Sequence, residues 1–294
     1  MNITLKPGLY VVAVSGGIDS MALLHALNKQ PSLKLIVAHF DHGIREDSHL
    51  DRELVEQYAK NSHLPFVHTK GMLGPKASEA TAREARYKFL KSVQESSGAQ
   101  AIVTGHHQDD MLETALLNML RGTGRRGLTA LKSTDGIIRP LLMYPKERIK
   151  EYATTHKLAW REDSTNTDLH YRRNYIRHNF MTKLTPGQRA QFVILLDKLA
   201  EINTEIDKEL ISLLHTQPAT DTIDRDWFIG LPHDISREVL HHWLSRHGAP
   251  DLNRKRIEQL VVAIKTAKPS TTHDVSKKYK LHVKKQDVQI KIAD

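Results

Sequence analysis

An α/β fold is predicted: a parallel-sheet domain over residues 1–183, then a smaller, mainly helical domain over 184–294 that ends in a β-hairpin. Three observations predict it. Short apolar runs alternate with amphipathic stretches of helical period, which implies parallel strands with helices on both faces. Polar clusters follow three of those runs, and ligands on such sheets bind at the carboxyl ends of strands. At Thr185-Pro186-Gly187 the pattern gives way to longer amphipathic helices, and a domain boundary is placed near residue 184.

The first run, Leu9 to Val14, reads as a buried strand that turns through Ser15-Gly16-Gly17-Ile18-Asp19-Ser20 into a helix beginning with Met21-Ala22-Leu23-Leu24. A second strand, Leu33 to Phe40, ends in Asp41-His42-Gly43-Ile44-Arg45 and is followed by a polar helix from Asp47 to Asn61. A short strand stands around Phe66-Val67-His68, and residues 78–97 carry Ala80, Ala85, Phe89 and Val93 on one helix face. The fourth strand, Ala101 to Thr104, meets Gly105-His106-His107-Gln108-Asp109-Asp110-Met111-Leu112-Glu113-Thr114 and a further helix to Leu120. Then come a flexible basic loop, Arg121 to Leu128, a strand Ile137 to Leu142, and a helix with Pro145 near its start that runs to Leu158. Tyr171 to His178 is helical in spacing, as are 188–214, 234–245 and 253–266; Tyr279 to Ile292 alternates like a hairpin.

Composition narrows the chemistry. The chain has 294 residues, 39% apolar and 26% charged, and no cysteine. Thiolate metal sites, iron–sulfur clusters, disulfides and cysteine nucleophiles are therefore excluded. No run reaches the ~20 apolar residues of a membrane span, and Met1 to Lys6 lacks a signal pattern, so a cytoplasmic protein is expected. The net charge of +9 is uneven: residues 121–183 carry 14 Lys and Arg against 6 Asp and Glu, whereas residues 1–120 carry 12 against 13. A basic stretch just downstream of an anion-binding turn suits a polyanion such as RNA, and equally a solvated face.

The glycine turn is the strongest local signal. Paired glycines allow close backbone approach to a ligand, and the helix start favours an anion. Ser15 and Ser20 add hydroxyls, and Asp19 suits a divalent cation shared with phosphate oxygens. No Gly-Lys-Ser/Thr closes a Walker loop, and the third glycine of a dinucleotide fingerprint is missing. The hexapeptide resembles the PP-loop of ATP pyrophosphatases, which split ATP between its α and β phosphates.

In the third cluster, Asp110 and Glu113 share a helix face and Asp109 leads the N-terminus. One reading is a metal site, one is a carboxylate pair receiving an ammonium group, and one is helix capping by Asp109. Adjacent His106 and His107 do not match the i, i+4 spacing of helical metal ligands, which weighs against a transition-metal site. Arg172, Arg173 and Arg177 interleave with Tyr171 and Tyr175, which suits phosphate contact and base stacking and also a plain basic helix face.

Taken together, these motifs resemble the tRNA(Ile)-lysidine synthetase family, in its short form without an extra C-terminal domain. Besides the clusters above, the resemblance runs through Glu79 to Tyr87, Arg121 to Leu128, Arg139-Pro140-Leu141 and Glu162 to His178. Met111 departs from it, standing where many relatives carry glutamine. The resemblance implies a ligase: ATP adenylates the 2-oxo group of the wobble cytidine in CAU-anticodon isoleucine tRNA, and free L-lysine then displaces AMP. It implies ATP binding by Ser15, Gly16, Gly17, Ile18, Asp19, Ser20 and His39, with Mg²⁺ on Asp19. It implies lysine binding by Asp110, Glu113 and His106, with Asp19, Asp41, Asp110 and Glu113 as the catalytic carboxylates. Arg83, Arg121, Arg125, Arg126, Arg173 and Arg177 are the expected RNA contacts, residues 184–294 a tRNA-positioning domain, and a homodimer one expected assembly. The alternative is an ammonia-dependent PP-loop synthetase acting on a small adenylated substrate; a thiolase is disfavoured without cysteine.

Overall fold

The first strand of the chain becomes the middle of its sheet. In the computed structural model, β1 (Gly8–Ala13) pairs in parallel with β2 (Leu33–Asp41) on one side and β4 (Ala101–Thr104) on the other. β3 (Phe66–Lys70) and β5 (Ile137–Ile138) complete a five-stranded parallel sheet in the order β3-β2-β1-β4-β5. The chain order reverses between β1 and β4, and a crevice forms there at the strands' carboxyl ends. The structure describes residues 1–43, 47–71, 79–134, 136–162, 172–216, 221–249 and 252–293. Ile44, Arg45, the span 163–171 and the Glu79 side chain, all named in the sequence reading, lie outside the described residues.

Central strands of such a sheet are covered twice and read as unbroken apolar runs. Val11, Val12, Val37, Ile102 and Val103 are fully buried accordingly. On one face pack α1 (Ile18–Asn28), with Leu23, Leu24 and Leu27, α2 (Ser48–Asn61), with Val55 and Ala59, and α6 (Lys146–Thr155), with Ile149 and Ala153. On the other, α3 (Glu79–Ser97) brings Leu90 and Val93 against Val11, Ala38 and Ile102. α4 (Gln108–Leu120) follows β4, and α7 (Arg172–Asn179) follows α6.

Two local expectations are corrected. The strand expected over 137–142 stops at Ile138, because Pro140 has no N–H for a ladder and opens a 3₁₀ turn, Pro140–Met143. The basic loop is not a loop throughout: Arg125–Leu128 forms the short helix α5.

The chain divides into two compact units, Met1–Leu117 with Thr129–Val193, and Asn118–Leu128 with Ile194–Asp294. The second holds α5, α8 (Pro186–His215) from Ile194 onward, α9 (Arg225–Gly230), α10 (His233–Arg246) and α11 (Arg254–Thr266). Its terminal hairpin, β8 (Tyr279–Val283) and β9 (Asp287–Ile292), is the middle of a larger sheet. β6 (Thr222–Asp224) and β7 (Thr271–Asp274) flank it in the antiparallel order β6-β9-β8-β7. Phe228, Trp243, Ile223 and Leu281 centre this unit's own core. Buried Arg225 donates to the carbonyls of Ile264, Lys284 and Ala267, satisfying its charge with backbone dipoles. No described helix is long and apolar enough to cross a membrane.

Candidate active site

The glycine turn between β1 and α1 is locked from inside and braced from outside. The Ser20 hydroxyl donates to the Gly17 carbonyl at 2.9 Å and accepts from the Ser15 amide at 3.1 Å. Gly16 takes φ +93°, and a Cβ there would stand 3.2 Å from Asp51 Cβ, so only glycine fits. Arg161 donates its backbone N–H to the Gly16 carbonyl at 3.0 Å while its guanidinium grips Asp51 at 2.9 Å and Asp47 at 2.7 Å. The N-cap residue of α1, Gly17, brings no side-chain cap, and helix amides left so are suited to an anion.

A cavity of about 480 Å³ opens over this turn. Ser15, Asp19 and Ser20 line it from the turn, His39 and Asp41 from the end of β2, His106 from just after β4, and Asp110 from the first turn of α4. Arg83 and Arg173 of the expected RNA contacts line it too. Gly16, Gly17, Ile18, Glu113 and Arg177 are not among the lining. Polar residues that also line it without having been expected as site residues include Ser48, Asp51 and Arg86. Arg86 had a signal, standing three residues after Arg83 and so on its face of α3.

Each lining group is held in a defined state. His39 is 2% exposed and its Nδ1 donates to the Val14 carbonyl at 2.9 Å, leaving Nε2 as an acceptor with no hydrogen-bond partner among the described residues. Burial holds His39 below its ordinary pKa, against that bond and nearby Asp41 and Asp51. Asp41 spends its oxygens on the Gly43 amide at 2.8 Å and the Ser48 hydroxyl at 3.1 Å, which shapes the turn after β2. His106 Nδ1 lies 2.8 Å from Thr104 Oγ1. Burial depresses His106 to about 3, and Arg86, Arg139 and Arg83 push the same way against the pull of Asp110.

Helix α4 is capped by Asp110, not Asp109: the Asp110 carboxylate reaches back to the His107 amide at 3.0 Å. Asp109 instead pairs with Arg189 at 3.0 Å. Burial pushes Asp110 up, but His107, His106, that amide and Arg173 outweigh it and hold the carboxyl below its ordinary range. His107 Nε2 stands between Asp110, at 3.5 Å, and Asp19, at 3.8 Å. Behind them Glu113, 1% exposed, takes both arms of Arg177. Burial pushes Glu113 up, and Arg177 opposes it.

The remaining expected contacts belong to the second unit. Arg121 is exposed. Arg125 binds Asp207 at 2.8 Å, Glu238 at 2.9 Å and the Asn203 side chain at 3.1 Å. Arg126 binds Asp207 at 2.7 Å and contacts His241 and His242. These partners lie on α8 and α10, about 80 and 110 residues downstream, and no local pattern announced them.

Residues 4–184 match the model of the PP-loop domain family, and residues 224–278 match the TilS substrate binding domain. The tRNA(Ile)-lysidine synthase of Thermotoga sp. (strain RQ2) is 42% identical over 197 residues, covering 62% of this chain and 47% of that protein. The enzyme of the same name from Francisella tularensis subsp. novicida (strain U112) is 28% identical over 296 residues, 97% of this chain and 74% of its own. The chain thus spans about half the length of curated relatives such as the Thermotoga protein. Among solved structures, the U34-tRNA thiolase NcsA from Methanococcus maripaludis is similar in fold. Its TM-score is 0.53 at 16% identity, over 67% of this chain and 74% of that one. With one family model spanning more than half of its length and a second matching its tail, the chain belongs to the PP-loop family, in the group that carries a TilS substrate-binding domain.

Proposed function

We propose that this chain uses ATP to join free lysine to C2 of the wobble cytidine of isoleucine tRNA with a CAU anticodon. One observation carries the proposal: a single cavity collects the phosphate-cradling turn, an ionised carboxylate and three guanidiniums at the switch between β1 and β4. That set supports two successive steps on one base. In the first, the cytidine 2-oxo oxygen attacks the α-phosphate of ATP and pyrophosphate leaves. The protein's part is orientation and charge neutralisation by Ser15, Ser20, the α1 amides and Arg86. In the second, the lysine ammonium gives a proton to water, the free amine bonds to C2, and AMP leaves as the C2–O bond breaks.

Asp110, facing the cavity and held ionised, is the proposed seat of the lysine ammonium. Glu113 acts beside it through Arg177, whose Nη2 lies 3.9 Å from Asp110. His106, kept neutral, serves as a hydrogen-bond partner for the amine and not as its proton acceptor. Nε2 of His39 is an acceptor suited to the amino group of adenine. Arg83, Arg173 and exposed Arg121 are the proposed RNA contacts, with the substrate-binding unit positioning the tRNA.

Mg²⁺ fits Asp19. Among the described residues no cluster of three or more His, Asp or Glu holds a metal alone. Asp19 is a single, 27%-exposed carboxylate on the cavity wall, and Mg²⁺ usually takes one or two carboxylates, completing its shell with water and phosphate oxygens. Bound there, it supplies neutralising charge to the triphosphate.

The test combines purified protein, ATP, Mg²⁺, radiolabelled lysine and a transcript of the CAU isoleucine tRNA. Label retained by the RNA, with AMP and pyrophosphate formed, is expected. Pyrophosphate release with ammonia and a small acceptor, and no label in RNA, would overturn the proposal in favour of an amidating synthetase.

A further inference from the structure

Asp19 is already occupied by a cation that belongs to the protein. Lys146 Nζ lies 2.6 Å from both carboxylate oxygens, an ammonium seated symmetrically on the group. Helix preference does not explain this lysine. It is the first residue of α6, after Pro145, where the helix dipole disfavours positive charge. Nor does Asp19 need it for folding, since an acidic residue in the first turn of α1 is already favoured. The start of α6 is itself held in place, because the Tyr144 carbonyl accepts the Gln108 amide at 3.1 Å, tying the segment to α4.

From this geometry we infer that Lys146 is a resident counter-ion that fills the cation position at Asp19 in the nucleotide-free protein and yields it when the divalent ion arrives with the triphosphate. The inference rests on Asp19 being the metal ligand in the function proposed above. An inner-sphere Mg²⁺ sits about 2.1 Å from its carboxylate oxygen, and Nζ at 2.6 Å leaves no room for it. One cation must leave. Lys146 is the one that can swing away: its side chain is long, 36% exposed, and the partner of its Nζ is Asp19 itself. The displaced ammonium then finds phosphate oxygens that arrive with the new ion. Loading of the metal is thereby tied to loading of the nucleotide, and Lys146 acts as a positioning residue through Asp19.

The experiment measures Mn²⁺ binding by electron paramagnetic resonance to the full, nucleotide-free chain, as wild type, Lys146→Met, Lys146→Arg and Asp19→Asn. Methionine keeps length and removes charge, and thermal melts check that each variant folds. Lys146→Met is expected to bind Mn²⁺ about fivefold tighter than wild type, the size of a part-exposed ion pair lost from the competition. Lys146→Arg is expected to stay near wild type, and the double variant with Asp19→Asn to lose the gain. Equal affinities in wild type and Lys146→Met, or no binding in either, would overturn the inference. Mn²⁺ binding that ignores Asp19→Asn would instead remove the metal from Asp19 and overturn both. Lysine incorporation by the wild type is read separately, so failure of the ligase proposal stays distinguishable.

Discussion

Arg177 grips Glu113 with Nε at 2.7 Å and Nη2 at 3.0 Å, and so turns the most buried of the three α4 carboxylates away from the cavity and toward the protein. Asp110 alone is left facing the substrate space. The two residues are three positions apart and yet have different work.

They therefore fail differently. Asp110→Asn is expected to spare pyrophosphate release from ATP and tRNA while cutting lysine transfer by about 10²-fold or more, the loss typical of one well-placed charge in a dry site. Glu113→Gln is expected to lower the denaturation midpoint as well, by about 2 kcal/mol of stability. That value lies below the range for fully buried pairs because Arg177 is part-exposed. Half-reaction assays and urea melts separate the two; equal stability losses would refute the division.

His106 gives the fold an acid-side liability. Its pKa falls from 6.5 in the unfolded chain to about 3 in the folded one. The unfolded state then binds the extra proton first, so stability is complete above pH 6.5 and declines as pH falls toward 3. His106→Asn, which keeps a hydrogen-bonding group for Thr104 but does not titrate, is expected to flatten that slope. Melting temperatures at pH 7.5 and pH 5 check it.

His39 is expected to set the choice of base. His39→Phe fills the same space without an acceptor, so KM for ATP should rise about tenfold, the value of one hydrogen bond to a buried group. kcat should change little. The preference for ATP over purine riboside triphosphate, which lacks the amino group, should disappear. A preference that survives would place the amino group elsewhere.

Gly105 holds the two halves of the site together. A Cβ at this position would stand 3.2 Å from the Asp19 carbonyl carbon and from the Ser20 amide nitrogen, backbone atoms that cannot swing aside. Gly105→Ala is expected to push the α4 start off the glycine turn. Both half-reactions should then fall together, with modest loss of stability, in contrast to the selective effect at Asp110.

Much of this was legible because it is local. Val11-Val12 and Ile102-Val103 are apolar on both faces, and the polar clusters after them mark the strand ends. What escaped was non-local or short. Nothing near Lys146 in the sequence points to Asp19, 127 residues away, and nothing around Arg125 points to Asp207. β6 and β7, of three and four residues, are too short for alternation to register and exist because the hairpin β8-β9 offers them edges. The missing part of the expected 137–142 strand was signalled by Pro140, whose lack of an N–H outweighs the apolar residues beside it.

Residues 118–128 are written between two segments of the first unit but fold with the second, where Arg125 and Arg126 meet Asp207 and Glu238. The modules of this protein are thus interleaved along the gene. A tail exchanged between relatives at residue 184 would arrive without its inserted strip and confront guanidiniums matched to a different set of carboxylates. The heritable unit of tail exchange is two segments, one of them eleven residues long, and any chimera that works must carry both.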